Sequence, residues 1–514
     1  MNRQGKTPTA WKMARCGAAL AALAWCFRPA GAGAAGSKDA AADETKIQRL
    51  VGELGADSYR LREQAQAELV KIGPPAVKAL EEALKSADME VRQRSQKALA
   101  EIRKNAAEQA SRDVLKSVLW SCRVPAGLAG PLAVAGGAVV FSRADGNLEA
   151  VDARTGKRLW EFASKAEFGF LAAQGAVYAF DKDDELCRLE PKTGKLDPKF
   201  RCKVIAGTPA LAEGVIYAPT VFGTFVAADA QTARTVWKCE TMAVRMGSCP
   251  APVVGEKAVY VLTSDGAVAA LDRRTGKVAW SAKADGRPNI QALALDGRRV
   301  ISRSHEGVQA LDAESGKLLW KYSLAGGNPA PAAFVQVRGR VFVNGRQIEL
   351  GPRLTDAWEL TCSDGTVYLA AGERLVGLDA DTGRQQWTHE PQLKEAGGNG
   401  VRRQVIQQLG GQGKAVVMIA GVVSLTPGLG LCQLTPAAIH AGVMYFGSGE
   451  GLHALDLQTR QQLWIFKTPG PVCGRPVVAD GVIYFGTLMA AVLEGQKGDL
   501  AEARLYALRL KADN

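Results

Sequence analysis

An eleven-residue pattern that recurs along the chain is the feature that most constrains the fold. It reads A-x-D-x-x-T-G-x-x-x-W where it first occurs. One later copy begins with Gly, and two carry Ala233 and Arg460 in place of the pattern's Gly. The copies lie at residues 150–160, 227–237, 270–280, 310–320, 377–387 and 454–464, with a shorter one lacking Trp at 188–194.

The spacing of the copies predicts a repeat architecture. The acidic position falls at residues 152, 190, 229, 272 and 312, a period of about 40 residues, which is the length of one propeller blade. Short apolar runs with period-2 alternation and Gly turns fill the space between copies. Four short strands per unit are typical of such a blade.

Each residue type in the pattern has a structural role. Asp and Thr favour a tight turn, and Gly supplies the positive φ that closes a bulged hairpin. Trp then falls on the strand that leaves the turn, and the small first residue is expected to leave room for a neighbouring blade's ring. We therefore predict that blades dock through these residues: Trp120, Trp160, Trp237, Trp280, Trp320, Trp387, Trp464, Gly156, Gly276, Gly316 and Gly383.

The two ends of the chain indicate how the ring closes. Residues 505–510 resemble the strand that enters the pattern but stop before any Trp, and residues 116–120 resemble the missing last strand with its Trp. A blade shared by both termini closes the ring and removes exposed edges. Seven copies and the shared blade predict an eight-bladed β-propeller of four-stranded antiparallel blades at residues 114–510.

Two gaps in the repeat exceed the length of one blade. They hold extra segments near residues 344–362 and 388–434, each either a decayed additional blade or an insertion. Long insertions in compact domains are often functional. The segment 388–434 is therefore a candidate partner-binding site.

The N-terminus predicts export. Residues 1–34 combine basic residues, a twelve-residue apolar run and a small-residue cleavage site, which is typical of a secretory signal peptide. The run is too short to span a bilayer. Trp25 before Cys26 disfavours the rival lipoprotein signal. We expect a periplasmic or extracellular protein that is associated with membranes, if at all, through partners.

Residues 45–113 have helical apolar spacing. Leu61, Leu69 and Ile72 recur as Val91, Leu99 and Ile102 after a shift of 30 residues. This segment resembles HEAT repeats, helical pairs that stack into solenoids and often bind proteins. A structural cap and a second partner surface are both consistent with it.

Charge and cysteines give two further expectations. The net charge of the chain is +12, and five of the basic residues lie in the predicted signal. The remaining charge is spread without a basic run, so we predict no nucleic-acid partner.

Cys187 and Cys202 flank the hairpin of the second repeat. A cross-strand disulfide between them is one expectation, and free buried thiols are the other.

The recurrent pattern resembles the PQQ-type repeat. This repeat occurs in quinoprotein alcohol dehydrogenases, which use pyrroloquinoline quinone with calcium, and in BamB-like scaffolds of outer-membrane protein assembly. The sequence lacks the adjacent cysteines and the C-x-x-C-H haem motif that often accompany the enzymes. Its Asp residues lie one per blade, and its histidines are too scattered to indicate zinc (His305, His389, His440 and His453).

We therefore predict no catalytic residues, no metal and no cofactor. The predicted function is that of an exported, non-catalytic scaffold or protein-binding protein, BamB-like in architecture, with partners bound through residues 388–434 or 45–113. The alternatives are a quinone- and calcium-dependent dehydrogenase and a propeller that binds carbohydrate or peptide.

Overall fold

The computed structural model describes most of the chain from residue 36 onward. It divides the chain into two compact units, one up to residue 103 and one at residues 104–511. The described residues are 36–125, 127–143, 145–164, 169–173, 175–203, 205, 207–220, 222–240, 251–283, 292–304, 307–324, 340–343, 346–349, 360–371, 374–391, 434–488, 490–491 and 500–510.

The first unit is helical. Its apolar core contains Leu54, Leu69, Leu80 and Leu99, which are almost completely buried. The helices are α1 (Gly36–Glu53), α2 (Tyr59–Ile72), α3 (Val77–Ala83), which follows a 3₁₀ turn at Pro74–Ala76, and α4 (Met89–Leu115).

The same bonds recur 30 residues apart in this unit. Arg62 donates from Nη1 to the carbonyls of Ala56 (2.6 Å) and Asp57 (2.9 Å). Arg92 donates in the same way to the carbonyls six and five residues before it, at 2.6 and 2.8 Å. Each arginine satisfies carbonyls of the loop that precedes its own helix, so the sequence period corresponds to a repeated loop geometry.

The second unit is a β-propeller whose described residues form eight four-stranded antiparallel sheets. Blade 1 consists of β2 (Leu128–Ala135), β3 (Ala138–Arg143), β4 (Leu148–Asp152) and β5 (Arg158–Phe162). Blade 2 consists of β6 (Phe170–Ala173), β7 (Ala176–Phe180), β8 (Leu186–Leu189) and β9 (Leu196–Cys202). Blade 3 consists of β10 (Ala210–Ala212), β11 (Val215–Pro219), β12 (Phe225–Asp229) and β13 (Thr235–Cys239). Blade 4 consists of β14 (Val253–Val254), β15 (Ala258–Leu262), β16 (Ala267–Asp272) and β17 (Val278–Lys283).

The remaining blades follow the same order. Blade 5 consists of β18 (Ala292–Asp296), β19 (Arg299–Arg303), β20 (Gly307–Asp312) and β21 (Leu318–Ser323). Blade 6 consists of β24 (Thr361–Ser363), β25 (Thr366–Ala371), β26 (Arg374–Asp379) and β27 (Gln385–His389). Blade 7 consists of β28 (Ala438–His440), β29 (Val443–Gly447), β30 (Gly451–Asp456) and β31 (Gln462–Lys467). Blade 8 combines β32 (Val472–Ala479), β33 (Val482–Thr487) and β36 (Arg504–Arg509) with the N-terminal β1 (Val118–Arg123).

Blade 8 closes the ring with strands from both ends of the chain, as predicted. β1 pairs antiparallel with β36, so that Trp120 lies opposite Ala507 and Ser121 opposite Tyr506. The expected fold, an eight-bladed propeller with four-stranded antiparallel blades, is confirmed. Cores lie between neighbouring blades: the cluster of Trp160, Phe170 and Val177, for example, joins blades 1 and 2.

The first long gap contains a two-stranded hairpin, β22 (Arg340–Val343) with β23 (Arg346–Glu349). The segment expected to end at residue 362 ends earlier, because Thr361–Ser363 forms β24 of blade 6. A second small hairpin, β34 (Ala490–Ala491) with β35 (Leu500–Ala501), lies between β33 and β36. Most of the segment 388–434 lies outside the described residues, although Thr388 and His389 belong to β27.

Because successive strands of a blade run in opposite directions, successive turns lie at opposite ends of the propeller. The turns between first and second strands and those between third and fourth strands lie at one end, which we call the docking face because it contains the A-x-D-x-x-T-G turns. The turns between second and third strands and the connections from blade to blade lie at the other end, called here the connection face. The long connections after β21, β27 and β33 therefore all leave from the connection face.

None of the described helices is both long and apolar enough to cross a membrane. The signal predicted at residues 1–34 lies outside the described residues.

Candidate functional site

The aspartates of the repeated pattern form the turns of the docking face. Oδ1 of Asp152 accepts hydrogen bonds from the backbone N–H (2.9 Å) and hydroxyl (2.8 Å) of Thr155. These bonds, led by that of the hydroxyl, lower the pKa of Asp152. The same pair of bonds, with Ser315 in place of Thr in one case, is made by Asp229, Asp272, Asp312, Asp379 and Asp456.

In five turns of the docking face the glycine receives the Trp ring of the preceding blade. Gly156 has φ +68°, and a Cβ on it would lie 2.6 Å from the ring of Trp120. Such a contact is too short for any side chain. The corresponding pairs, at 2.4 to 2.7 Å, are Gly194 with Trp160, Gly276 with Trp237, Gly316 with Trp280 and Gly383 with Trp320.

The indole N–H fixes each of these rings to the next turn. Trp120 Nε1 donates to the carbonyl of Ala153 at 2.9 Å, one residue after the Asp of blade 1. Trp160, Trp237, Trp280 and Trp320 donate to the corresponding carbonyls of Pro191, Arg273, Ala313 and Ala380 at 2.7 to 3.1 Å. Packing and a hydrogen bond thus join the same ring to the same turn.

The small first residue of the pattern lies against the Trp ring of its own blade, so the expectation that it makes room for a neighbouring blade's ring is wrong. Ala150 lies directly opposite Trp160 of its own blade, and the other copies show the same pairing. A Cβ on Gly377 would lie 2.4 Å from Nε1 of Trp387, again in its own blade. The small residue therefore accommodates the ring of its own hairpin, while the glycine accommodates that of the preceding blade.

Blade 2, which lacks the Trp, docks through a tyrosine instead. The hydroxyl of Tyr178 donates to the carbonyl of Ala230 at 2.9 Å, the position that a Trp N–H contacts elsewhere. The turn of blade 3 correspondingly carries Ala233 with φ +58° in place of Gly. Since blade 2 has no Trp ring to pack there, the Cβ of Ala233 is tolerated.

Tyrosine hydroxyls of two other blades also donate to the turn of the next blade. Tyr260 donates to the carbonyl of Ala313 at 3.1 Å, and Tyr484 donates to that of Ala153 at 3.2 Å. Both carbonyls also accept a hydrogen bond from a Trp N–H.

The sequence analysis does not predict Tyr178 and Gly194 as docking residues, although the recurrent Val-Tyr or Ile-Tyr pair and the Thr193-Gly194 turn are visible in the sequence.

Trp387 and Trp464 pack beside tyrosines of their own blades. Trp387 lies 5.9 Å from Tyr368 between ring centroids, and Trp464 lies at the same distance from Tyr445. The turn of blade 7 has Arg460 at φ +59° at the position of the pattern's Gly, as the turn of blade 3 has Ala233.

The structure leaves the thiols of Cys187 and Cys202 free. Cys187 lies opposite Arg201, and Cys202 lies opposite Leu186. Because successive residues of a strand point to opposite faces, the two thiols lie on different faces of the sheet. The expected disulfide is therefore wrong, and the free-thiol alternative describes the structure. Burial and the hydrogen-bonded Asp181 raise the pKa of Cys187 to about 12.

Few charged side chains occur on the first strands, which contact one another from blade to blade and form the inner wall. Arg475 of β32 donates from Nη2 to the carbonyl of Leu360 (3.2 Å) and to Oγ1 of Thr361 (3.1 Å). Thr361 donates to the carbonyl of Ala437 at 3.0 Å. This chain of bonds ties blades 6, 7 and 8 together at the inner wall.

Arg303 is a second tie, at the end of β19. Its Nη2 donates to the carbonyl of Ala370 in β25, which joins blades 5 and 6. Only 3% of the residue is exposed, and this burial lowers the pKa of its guanidinium to about 10.

His453 forms a buried polar network in blade 7. Its Nε2 is hydrogen-bonded with Oγ of Ser448 (2.7 Å), its Nδ1 faces Oε1 of Gln462 (3.3 Å), and its ring stacks on Phe446. Burial, reinforced by the nearby His389, lowers the pKa of His453 to about 4. Ser448 and His453 are 1% and 0% exposed, so this pair lies in the core and is closed to a substrate.

Of the remaining histidines, two lie in the described part of the chain. Burial lowers the pKa of His389, whereas His440 is exposed and His305 lies outside the described residues. Within the described part of the chain, no three His, Cys, Asp or Glu side chains are placed to hold a metal ion.

Among the described residues, carboxylates are not brought together as a set of calcium ligands. Calcium takes six to eight oxygen ligands. The pattern aspartates lie in separate turns, each with Oδ1 bound to its own Thr or Ser. On the described first strands the single carboxylate is Asp296, which pairs with Arg299 at 3.6 Å.

An eight-bladed ring in which a Trp of one blade packs on the glycine of the next blade's turn defines a PQQ-type repeat propeller. The model of the family described as outer membrane protein assembly factor BamB matches residues 114–197, 173–351 and 291–430, together more than half of the chain. The chain belongs to this family.

Solved structures of several proteins are similar to this chain. BamB from Moraxella catarrhalis has a TM-score of 0.46 and 15% identity, with 77% of this chain and 98% of that chain covered. Quinohemoprotein alcohol dehydrogenase from Comamonas testosteroni gives 0.49 and 15%, with 78% of each chain covered. The computationally designed Ika8 protein gives 0.49 and 16%, with 76% and 100% covered. No curated protein sequence matches significantly.

Gly316→Ala is expected to destabilise the propeller more than Gly442→Ala. Both residues have positive φ (+71° and +73°), so both variants lose about 1 kcal/mol for backbone strain. A Cβ at Gly442 meets nothing within 4 Å, whereas one at Gly316 lies 2.6 Å from Trp280, which adds about 1–3 kcal/mol. Urea denaturation measures the difference. Equal losses in the two variants would contradict the docking role.

Tyr178→Phe is expected to cost about 1 kcal/mol of unfolding free energy. It leaves the carbonyl of Ala230 without its donor and removes a contact of the hydroxyl with Arg188. Tyr260→Phe is the matched control and should cost less, because the carbonyl of Ala313 keeps the N–H of Trp280 at 3.1 Å. A larger loss in the control than in Tyr178→Phe would refute the substitute role of Tyr178.

His453 is expected to make the protein less stable in mild acid. Its folded pKa of about 4 lies below the unfolded value of about 6.5, so the unfolded state binds more protons between these limits. The stabilisation is complete above pH 6.5, and about 3 kcal/mol of it is lost as the pH falls to 4. Chemical denaturation at several pH values should show this slope in the wild type and in His440→Gln, and a reduced slope in His453→Gln.

Proposed function

We propose that this protein is an exported, non-catalytic scaffold that binds other proteins. The observation that carries the proposal is the use of the repeated polar residues. All six pattern aspartates hold turns, and the Trp and Tyr donors hold neighbouring blades, so the chemistry of the repeat is engaged in building the ring.

Family membership supports the same function. The description of the family is that of an outer membrane protein assembly factor, BamB. A role in assembling membrane proteins is the specific form of scaffold that we infer for this chain. Export rests on the sequence of residues 1–34, and the partner-binding roles of residues 45–113 and 388–434 remain sequence predictions.

The connection face is the end of the ring that suits a partner. The A-x-D-x-x-T-G turns of the docking face repeat one geometry around the ring, which leaves them little freedom for specific recognition. The connections differ in length from blade to blade, and the turns between second and third strands share one geometry in blades 1 to 4 but vary in length among the other blades. Loops carried by a rigid scaffold commonly bear binding function.

The decisive comparison is with a quinone-dependent dehydrogenase. Purified protein is titrated with pyrroloquinoline quinone and calcium by calorimetry, and alcohol oxidation is then followed with an artificial electron acceptor. We expect neither saturable quinone binding nor turnover, while a quinohemoprotein dehydrogenase assayed in parallel shows both. Saturable binding together with turnover would overturn the scaffold proposal.

A further inference from the structure

Phe222 is the most exposed large apolar side chain among the described residues, at 74%. It lies in the turn between β11 and β12 of blade 3, on the connection face. Single exposed apolar residues are common on protein surfaces. The turn around Phe222 is what distinguishes it.

The same turn occurs in four consecutive blades. In blade 3 the N–H of Thr220 donates to the carbonyl of Thr224 (2.8 Å), and the N–H of Gly223 donates to that of Thr220 (3.0 Å). The turns of blades 1, 2 and 4 have the same two bonds at the same positions. The residue equivalent to Phe222 is an aspartate in each of them: Asp145, Asp183 and Asp265.

The turn therefore does not require an aromatic side chain. Asp suits such turns because its carboxylate bonds nearby backbone N–H groups. In blade 3 that work is done by Thr220, whose Oγ1 accepts from the N–H groups of Phe222 and Thr224 at 3.2 Å each. The side chain of Phe222 consequently lies at the tip of a turn whose hydrogen bonds are made by the backbone and by Thr220.

Charged side chains lie beside the ring. Lys238 Nζ lies 6.0 Å from the ring centroid of Phe222, and it forms an ion pair with Glu240 at 2.8 Å. The side chain of Glu240 is 70% exposed, against 38% for that of Lys238. Glu240 is thus the more accessible member of the ion pair whose other member, Lys238, lies beside the aromatic ring.

We propose that Phe222 and Glu240 form an anchor site for a segment of another protein. The segment would place an apolar side chain on the Phe222 ring and an Arg or Lys against Glu240. A preorganised aromatic residue with a polar rim is the arrangement from which interfaces draw most of their binding energy. This inference rests on the proposed scaffold function and assigns its partner site to blade 3.

The test uses a phage-displayed library of random 12-residue peptides, selected on the immobilised full chain. Peptides that pair a large apolar residue with Arg or Lys should be enriched. Their affinity should fall about 30-fold or more for Phe222→Asp. Phe222→Asp should fold normally, because Asp occupies this position in three other blades, and unchanged thermal unfolding checks this. Phe222→Ser provides a second variant.

Two further variants sharpen the result. Glu240→Lys should weaken the selected peptides, and a new selection on it should favour acidic peptides instead of basic ones. Asp183→Ala, at the equivalent position of blade 2, should leave binding unchanged.

Three outcomes would overturn the inference. They are peptides that bind Phe222→Asp as well as the wild type, self-association in sedimentation that depends on Phe222, and oligosaccharide binding that depends on Phe222 without peptide binding. Peptide binding that does not depend on Phe222 refutes only this site and leaves the scaffold function intact. Quinone-dependent turnover would refute the scaffold function itself.

Discussion

The propeller depends on one contact, the packing of a tryptophan ring on the glycine of the next blade's turn. The glycine serves two requirements at once, since its backbone needs positive φ and its missing side chain leaves room for the ring. The N–H of the same tryptophan donates to a carbonyl in that turn, so ring packing and hydrogen bonding select the same orientation. Blade 8 extends the rule across the chain termini, because Trp120 from the N-terminal strand contacts the turn of blade 1.

The exception in blade 2 shows how strongly the two sides of this contact are linked. Loss of the ring in blade 2 coincides with the appearance of a side chain, that of Ala233, on the receiving turn. The hydrogen bond persists with a different donor, the hydroxyl of Tyr178. The carbonyl after the Asp position therefore keeps a donor even where the ring is absent, as expected for a buried polar group.

Much of this architecture could be predicted from the sequence because it repeats. The blade number, the ring closure and the docking Trp and Gly residues all follow from the recurrence of one pattern. Contacts that depend on pairing register were not predictable. The small first residue faces its own Trp, and Cys187 and Cys202 lie on opposite sheet faces, because a shift of one residue exchanges the faces of a strand. The tyrosine donors were overlooked because a Val-Tyr pair in a strand is explained by apolar alternation alone.

The two ends of the propeller are under different constraints, and this difference locates function. At the docking face five turns receive a neighbouring blade's Trp ring on their glycine, so the residues of those turns are determined by the fold. At the connection face the turns between second and third strands need only reverse the chain, which Asp and Gly achieve in blades 1 and 4 with little surface hydrophobicity. An exposed phenylalanine in the same turn of blade 3 adds nothing to the reversal and places apolar area in water. A departure of this kind from a rule that neighbouring blades obey points to a requirement outside the fold, and binding of the protein partner that we propose for Phe222 would be such a requirement.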